Sequence, residues 1–82
     1  MKAKRKESLM TINDMIDAGI SIEGEIEIRQ WDSDIDDALV LFRGYDYELN
    51  HNASYMDEEV TYMFAYRDTD NYTTVLCFEL AN

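Results

Sequence analysis

Apolar and polar positions along this chain change period several times, and each change marks an element. Thr11 followed three positions later by Asp14 reads as a helix N-cap with a variant capping box. Met10 and Met15 fall at the N′ and N4 positions of a hydrophobic staple. Ile12, Met15 and Ile16 share a face, and Gly19 supplies the stop. The spacing predicts a helix of about two turns, which needs a surface to pack against because so short a helix is unstable alone. From Ile20 to Gln30 the chain alternates cleanly. Ile20, Ile22, Ile26 and Ile28 point one way; Glu23, Glu25, Glu27 and Arg29 point the other. This predicts a strand with one face in a core and one in water.

The polar run Trp31–Asp37 reads as a turn. Ala38–Arg43 reads as a second strand that Gly44 ends, and the two strands pair as an antiparallel hairpin. Tyr45–Ser54 has no clear period, and Asn50-His51-Asn52 reads as a loop. Ser54 with Asp57 repeats the capping pattern, so a single helical turn is expected over Tyr55–Glu59. Val60–Tyr66 alternates with Val60, Tyr62, Phe64 and Tyr66 on one face. Asp68-Thr-Asp-Asn is a turn signal, and Tyr72–Leu80 forms the last strand, with Tyr72, Thr74, Leu76, Phe78 and Leu80 on one face. These two strands form a second hairpin. The predicted fold is α+β: a short N-terminal helix packed on a four-stranded, mainly antiparallel sheet, in the order α-β-β-(short α)-β-β.

Length bounds this picture to one domain over residues 8–82, preceded by a basic, disordered tail over 1–7. A chain of 82 residues buries a modest fraction of its surface, so dimerisation would help it. At 46% hydrophobic, with six Tyr, three Phe and one Trp, it can still build a core. The single Cys77 cannot form an internal disulfide and reads as a buried thiol. The basic start lacks an apolar segment long enough for a secretory signal, and no run approaches a membrane span, so the expected location is the cytoplasm.

Charge changes the picture most. Four of the seven basic residues lie in the first six positions. From Glu7 onward, 18 acidic side chains face only Arg29, Arg43 and Arg67. Such a body repels nucleic acid and anionic membranes and attracts basic surfaces, including channels that hold DNA or RNA. Six tyrosines could stack on bases, but stacking platforms need a basic surround, so direct nucleic-acid binding is disfavoured.

The run Asp32-Ser-Asp34-Ile-Asp36-Asp37 invites a calcium reading. An EF-hand starting there needs Gly at its sixth position and Glu at its twelfth; it has Asp37 and Arg43. A solvated acidic turn is the simpler reading, with weak divalent-cation binding as the rival. Glu23, Glu25 and Glu27 on an exposed strand face would keep ordinary pKa values and make poor general acids. His51 has no nucleophile partner in view. The sequence therefore predicts no enzyme, no cofactor and no metal site.

Three acidic segments remain as candidate protein-binding sites: Glu23, Glu25 and Glu27; Asp32, Asp34, Asp36 and Asp37; and Asp57, Glu58 and Glu59. Alternate side chains on a strand stand about 6.6 Å apart. That is comparable to phosphate spacing along a nucleic-acid strand, so a carboxylate row can imitate phosphates to a basic groove. The ordinary alternative is that the charge serves solubility.

Met10-Thr-Ile-Asn-Asp-Met-Ile-Asp, Ile26-Glu-Ile-Arg and Tyr55-Met-Asp-Glu-Glu-Val-Thr-Tyr resemble segments of small acidic proteins encoded by phages and integrative conjugative elements of Gram-positive gut bacteria. By size and charge alone the chain is also similar to anti-CRISPR proteins, in particular inhibitors of Cas9. That resemblance implies a DNA mimic that occupies the positive channel or PAM-reading region of the nuclease. The rival expectation is an accessory or assembly protein that forms a homodimer through a sheet edge or an aromatic patch.

Overall fold

The computed structural model describes residues 10–82. The basic tail falls outside them, apart from which the predicted order of elements holds: helix α1 (Ile12–Asp17), strands β1 (Glu25–Asp32) and β2 (Asp37–Tyr45), two short 3₁₀ segments, and strands β3 (Val60–Asp68) and β4 (Thr73–Leu80). The four strands form one sheet in the order β2-β1-β4-β3. Both hairpins are antiparallel as expected, and they join through a parallel pairing of β1 with β4. This is an α+β fold on a mixed sheet.

Helix α1 forms as its caps dictate. The Thr11 hydroxyl accepts from the Asp14 backbone N–H at 3.0 Å, and the Asp14 carboxylate accepts from the Thr11 N–H at 3.1 Å. At the other end Gly19 takes φ +89°; its N–H donates to the Ile16 carbonyl, and Ile20 donates to Met15. That pair of bonds is the Schellman arrangement that a left-handed C′ residue permits. The buried face of the helix is Ile12. It belongs to one buried cluster with Ile26, Ile28, Leu49, Met56, Val60, Phe78 and Leu80 on one side of the sheet, the core face.

The structure corrects several expected boundaries. β1 begins at Glu25, not Ile20. Gly24 at φ +92° breaks the alternating run, leaving Ile20 half-exposed and Glu23 outside the strand. β2 continues through Gly44 to Tyr45, because Gly44 pairs with Ile26 instead of ending the ladder. The expected turn over Tyr55–Glu59 is a 3₁₀ segment, Ser54–Asp57, and Ser54 does not cap it. Tyr72 lies in the β3–β4 turn at φ +56°, outside β4.

Two ladder irregularities reset which side chains share a face. β3 slips register between Val60 and Tyr62, so Val60 joins the core beside Leu80 while Tyr62, Phe64 and Tyr66 turn to the opposite face. β2 slips opposite Ile28 and Arg29, which leaves Leu41 as the extra residue. The second sheet face carries no helix, and we call it the open face. It is not simply a water face: Glu27, Val75 and Cys77 on it are all buried. β1 and β4 are the two central strands, so neighbouring side chains cover them from both sides.

Candidate functional site

The open face is organised around Arg43. The β1–β2 register sets Arg43 directly opposite Glu27, and its guanidinium reaches four groups. It donates to the Glu25 carboxylate at 2.8 Å, Asp68 at 2.9 Å, the Tyr66 hydroxyl at 3.1 Å and Glu27 at 3.3 Å. Tyr66 in turn donates its hydroxyl to Glu27 at 2.8 Å, so Arg43, Tyr66 and Glu27 close a hydrogen-bonded triangle. Arg29 flanks the cluster from the other side. It pairs with Glu79 at 3.0 Å, lies 3.8 Å from Glu27, and sits 5.0 Å over the Phe64 ring.

This network overturns the expectation of an exposed carboxylate row. Only Glu23 of the three glutamates is exposed, and it accepts from the Ser21 hydroxyl at 2.7 Å. Glu25 and Glu27 are held internally, and Glu27 is 7% exposed. The Glu25 carboxyl is not ordinary either: hydrogen bonds from Arg43 and then Thr73 hold it below the usual carboxylate range. Asp68 is lowered for the same first reason, its bond from Arg43, helped by Asn71. Burial, followed by the bond to Glu27, raises the Tyr66 phenol, so it stays a donor. Burial likewise pushes the Cys77 thiol up to about 11. Arg43 itself stays charged at every working pH, because Glu25 and then Asp68 favour its cationic form over the opposing effect of burial.

The other two acidic segments come together at one end of the sheet. β1 and β4 run parallel and finish there, with Gln30 beside Leu80, and β3 starts there, with Val60 beside Leu80. The turn after β1 carries Asp32, Asp34, Asp36 and Asp37, and the segment entering β3 carries Asp57, Glu58 and Glu59. Gln30, two residues before Asp32 on β1, donates its side-chain amide to Glu58 at 2.7 Å and also to the Ala81 carbonyl. Asn82 donates to the Trp31 carbonyl at 3.1 Å and closes the same corner. A cleft of about 370 Å³ opens here, lined by residues that include Gln30, Asp32, Leu39 and Asn82.

The turn holds its own shape. Asp32 accepts from the Asp34 N–H at 2.9 Å, and Asp37 accepts from the Ala38 N–H at 2.7 Å. Asp36 adopts φ +53°, a conformation that aspartate tolerates better than most residues. Asp34, Asp36, Asp37, Asp57 and Glu59 are exposed. Among the described residues no cation lies within ion-pair distance of any of the seven carboxylates at this end. Asp57 accepts from the Asn13 side chain at 2.8 Å, so one of the seven is partly engaged by α1.

Sequence reasoning missed the opposite end of the sheet. Asp68 at the end of β3, Asp70 in the turn after it, and Asp46 and Glu48 after β2 lie at the end of the sheet where Glu25 begins β1. The Asp46 N–H donates to the Gly24 carbonyl at 2.9 Å, which fixes that grouping. Arg43 neutralises part of it. The Asp-x-Asp-Asn turn signal at 68–71 was available as an acidic segment, although its partner Arg43 is distant in sequence.

Among the described residues no group of three or more potential ligands is placed to hold a metal ion. No described helix is long and apolar enough to cross a membrane. No family model matches the chain, and no curated protein or solved structure is similar to it.

Proposed function

We propose that this protein acts by binding, not by catalysis: it is an acidic module that occupies the basic groove of a nucleic-acid-binding protein and inhibits it, as a DNA mimic does. The observation that carries this reading is that the Asp32–Asp37 turn and the Asp57–Glu59 segment lie at the same sheet end, with no described cation in ion-pair reach. Carboxylates already paired inside a fold cannot neutralise a partner's arginines without giving up those bonds. Glu25 and Glu27 are therefore removed from the binding surface, and the end without a described cation becomes its centre.

The partner chemistry follows from the charge. A channel lined by Arg and Lys, built for phosphates, offers the complement to seven clustered carboxylates. A Cas9-type CRISPR nuclease, encountered through a phage or conjugative element, is the partner to test first, because it reads its PAM with arginines and holds nucleic acid in a positive channel.

The test is competition. Guide-loaded nuclease is mixed with a labelled PAM-containing duplex and the protein is titrated in. Wild type displaces the duplex. Asp34, Asp36 and Asp37 changed together to Lys abolish displacement, whereas Glu23→Lys, at the other end, retains most of it. Duplex binding that is indifferent to excess protein, or a triple variant as potent as wild type, counts against the reading.

A further inference from the structure

We infer that the cleft beside the β1–β2 turn is a seat for an arginine side chain of the partner, with the Trp31 ring as its stacking platform and Asp32 as its counter-charge. This seat belongs to the acidic end proposed above as the binding surface, and it rests on that reading.

Trp31 and Asp32 are the last two residues of β1, and both line the cleft together with Leu39. The ladder sets the small Ala38 opposite Trp31 and brings Leu39 opposite Gln30. Trp31 is 46% exposed, and Leu39 equally so. The backbone beneath the ring is fixed, since the Asn82 side chain donates to the Trp31 carbonyl at 3.1 Å. Tryptophan is among the side chains that most often anchor a protein interface, and an exposed apolar surface rimmed by polar groups marks one.

Charge sets what such a platform takes. Asp32 spends one carboxylate oxygen on the Asp34 N–H at 2.9 Å; among the described residues the other oxygen receives no hydrogen bond. Asp34, Asp36 and Asp37 follow in the turn. No described cation lies over Trp31 or within ion-pair distance of these carboxylates. A cationic side chain is the complement, and arginine fits better than lysine. The guanidinium is planar and weakly hydrated, so it stacks on an indole at less desolvation cost than an ammonium does. Its fork can pair with a carboxylate while it stacks.

The open face shows the same arrangement already filled. There Arg29 lies 5.0 Å over the Phe64 ring and pairs with Glu79 at 3.0 Å. An aromatic ring and a carboxylate hold that arginine between them. Trp31 and Asp32 offer the same two groups with no described arginine in place.

Trp31 is the only tryptophan in the sequence, so its fluorescence reports on the cleft directly. Titrating wild-type protein with hexa-arginine is expected to shift Trp31 emission to saturation. Hexa-lysine, of equal charge, should need about tenfold more peptide for half the effect. Trp31→Leu keeps apolar bulk without the ring face. It should erase the preference for arginine and leave the weaker, charge-driven binding that both peptides share, read from the Leu39 amide resonance. The wild-type comparison stands even if the variant folds poorly. Equal half-saturation for the two peptides, Trp31 emission indifferent to hexa-arginine, or a folded Trp31→Leu that still prefers arginine would each overturn the inference. The competition assay separates it from the mimic reading. Wild type that fails to displace the duplex sinks the mimic, while the peptide preference still judges the cleft. If Trp31→Leu displaces the duplex as well as wild type does, and the Asp34/Asp36/Asp37→Lys variant does not, the mimic stands and the arginine seat falls.

Discussion

Arg43 is the residue on which the open face depends. Its guanidinium is the shared counter-charge of Glu25, Glu27 and Asp68, so truncating it leaves three clustered carboxylates to repel one another. Arg43→Ala is expected to cost about 2 kcal/mol of unfolding free energy in urea titrations. Tyr66→Phe removes one hydroxyl while Arg43 still serves Glu27, and is expected to cost about 1 kcal/mol. Equal costs for the two would mean that Arg43 is not the hub. Acid offers a second view. Glu25 and Asp68 titrate below their ordinary range when folded, so their contribution is complete above the unfolded carboxyl pKa of about 4 and is lost as pH falls through the lower folded values. The raw melting curve will not isolate this, because protonating the remaining carboxylates also relieves self-repulsion. The difference in Tm between wild type and the Glu25→Gln/Asp68→Asn double variant does. It should be positive at pH 7 and shrink as the pH falls below the unfolded carboxyl range of about 4; a difference that does not change with pH would contradict the assignment.

At the scale of elements, the caps and hairpins were readable because their causes are local. Thr11, Asp14 and Gly19 lie within one short segment, and the capping box and Schellman bonds form between near neighbours. Each hairpin follows from two alternating runs and the turn between them. What was not readable is non-local. The parallel β1–β4 pairing makes Glu27 and Cys77 neighbours 50 positions apart, at 3.9 Å between sulfur and carboxylate, and no periodicity announces it. Alternation alone therefore placed Glu25 and Glu27 in water. The Val60 slip was equally silent, since one extra residue reverses a face without altering the hydrophobic pattern. Two measurements test this layout. Gly24 sits at φ +92° where β1 begins, so Gly24→Ala should destabilise by about 1 kcal/mol even though nothing crowds its missing Cβ. Cys77 is fully buried with a raised pKa, so in native protein at pH 7 a thiol reagent should label it only as fast as the fold opens. Rapid stoichiometric labelling would show that the open face does not seal β4.

For the whole molecule, the fold converts one strongly signed sequence into regions of different character. Two of the three internal arginines are spent on the open face. One sheet end keeps its seven carboxylates without a described cation, and one edge strand keeps no carboxylate over Val60–Arg67. The acidic segments were visible in the sequence; which of them remain available was decided by where β1, β3 and β4 end. The proposed acidic surface predicts a definite response to salt. Partner binding through the acidic end weakens as salt rises, because it rests on attraction between opposite charges. The measurement that tests the central claim most directly is capture on immobilised protein of nucleic-acid-binding proteins from a bacterial lysate, with wild type and the Asp34/Asp36/Asp37→Lys variant in parallel, followed by elution with duplex DNA. The account predicts one nucleic-acid-binding protein retained by wild type, released by DNA and absent from the variant. The same proteins retained by both, or only a mixture of basic proteins lost at modest salt, would contradict it.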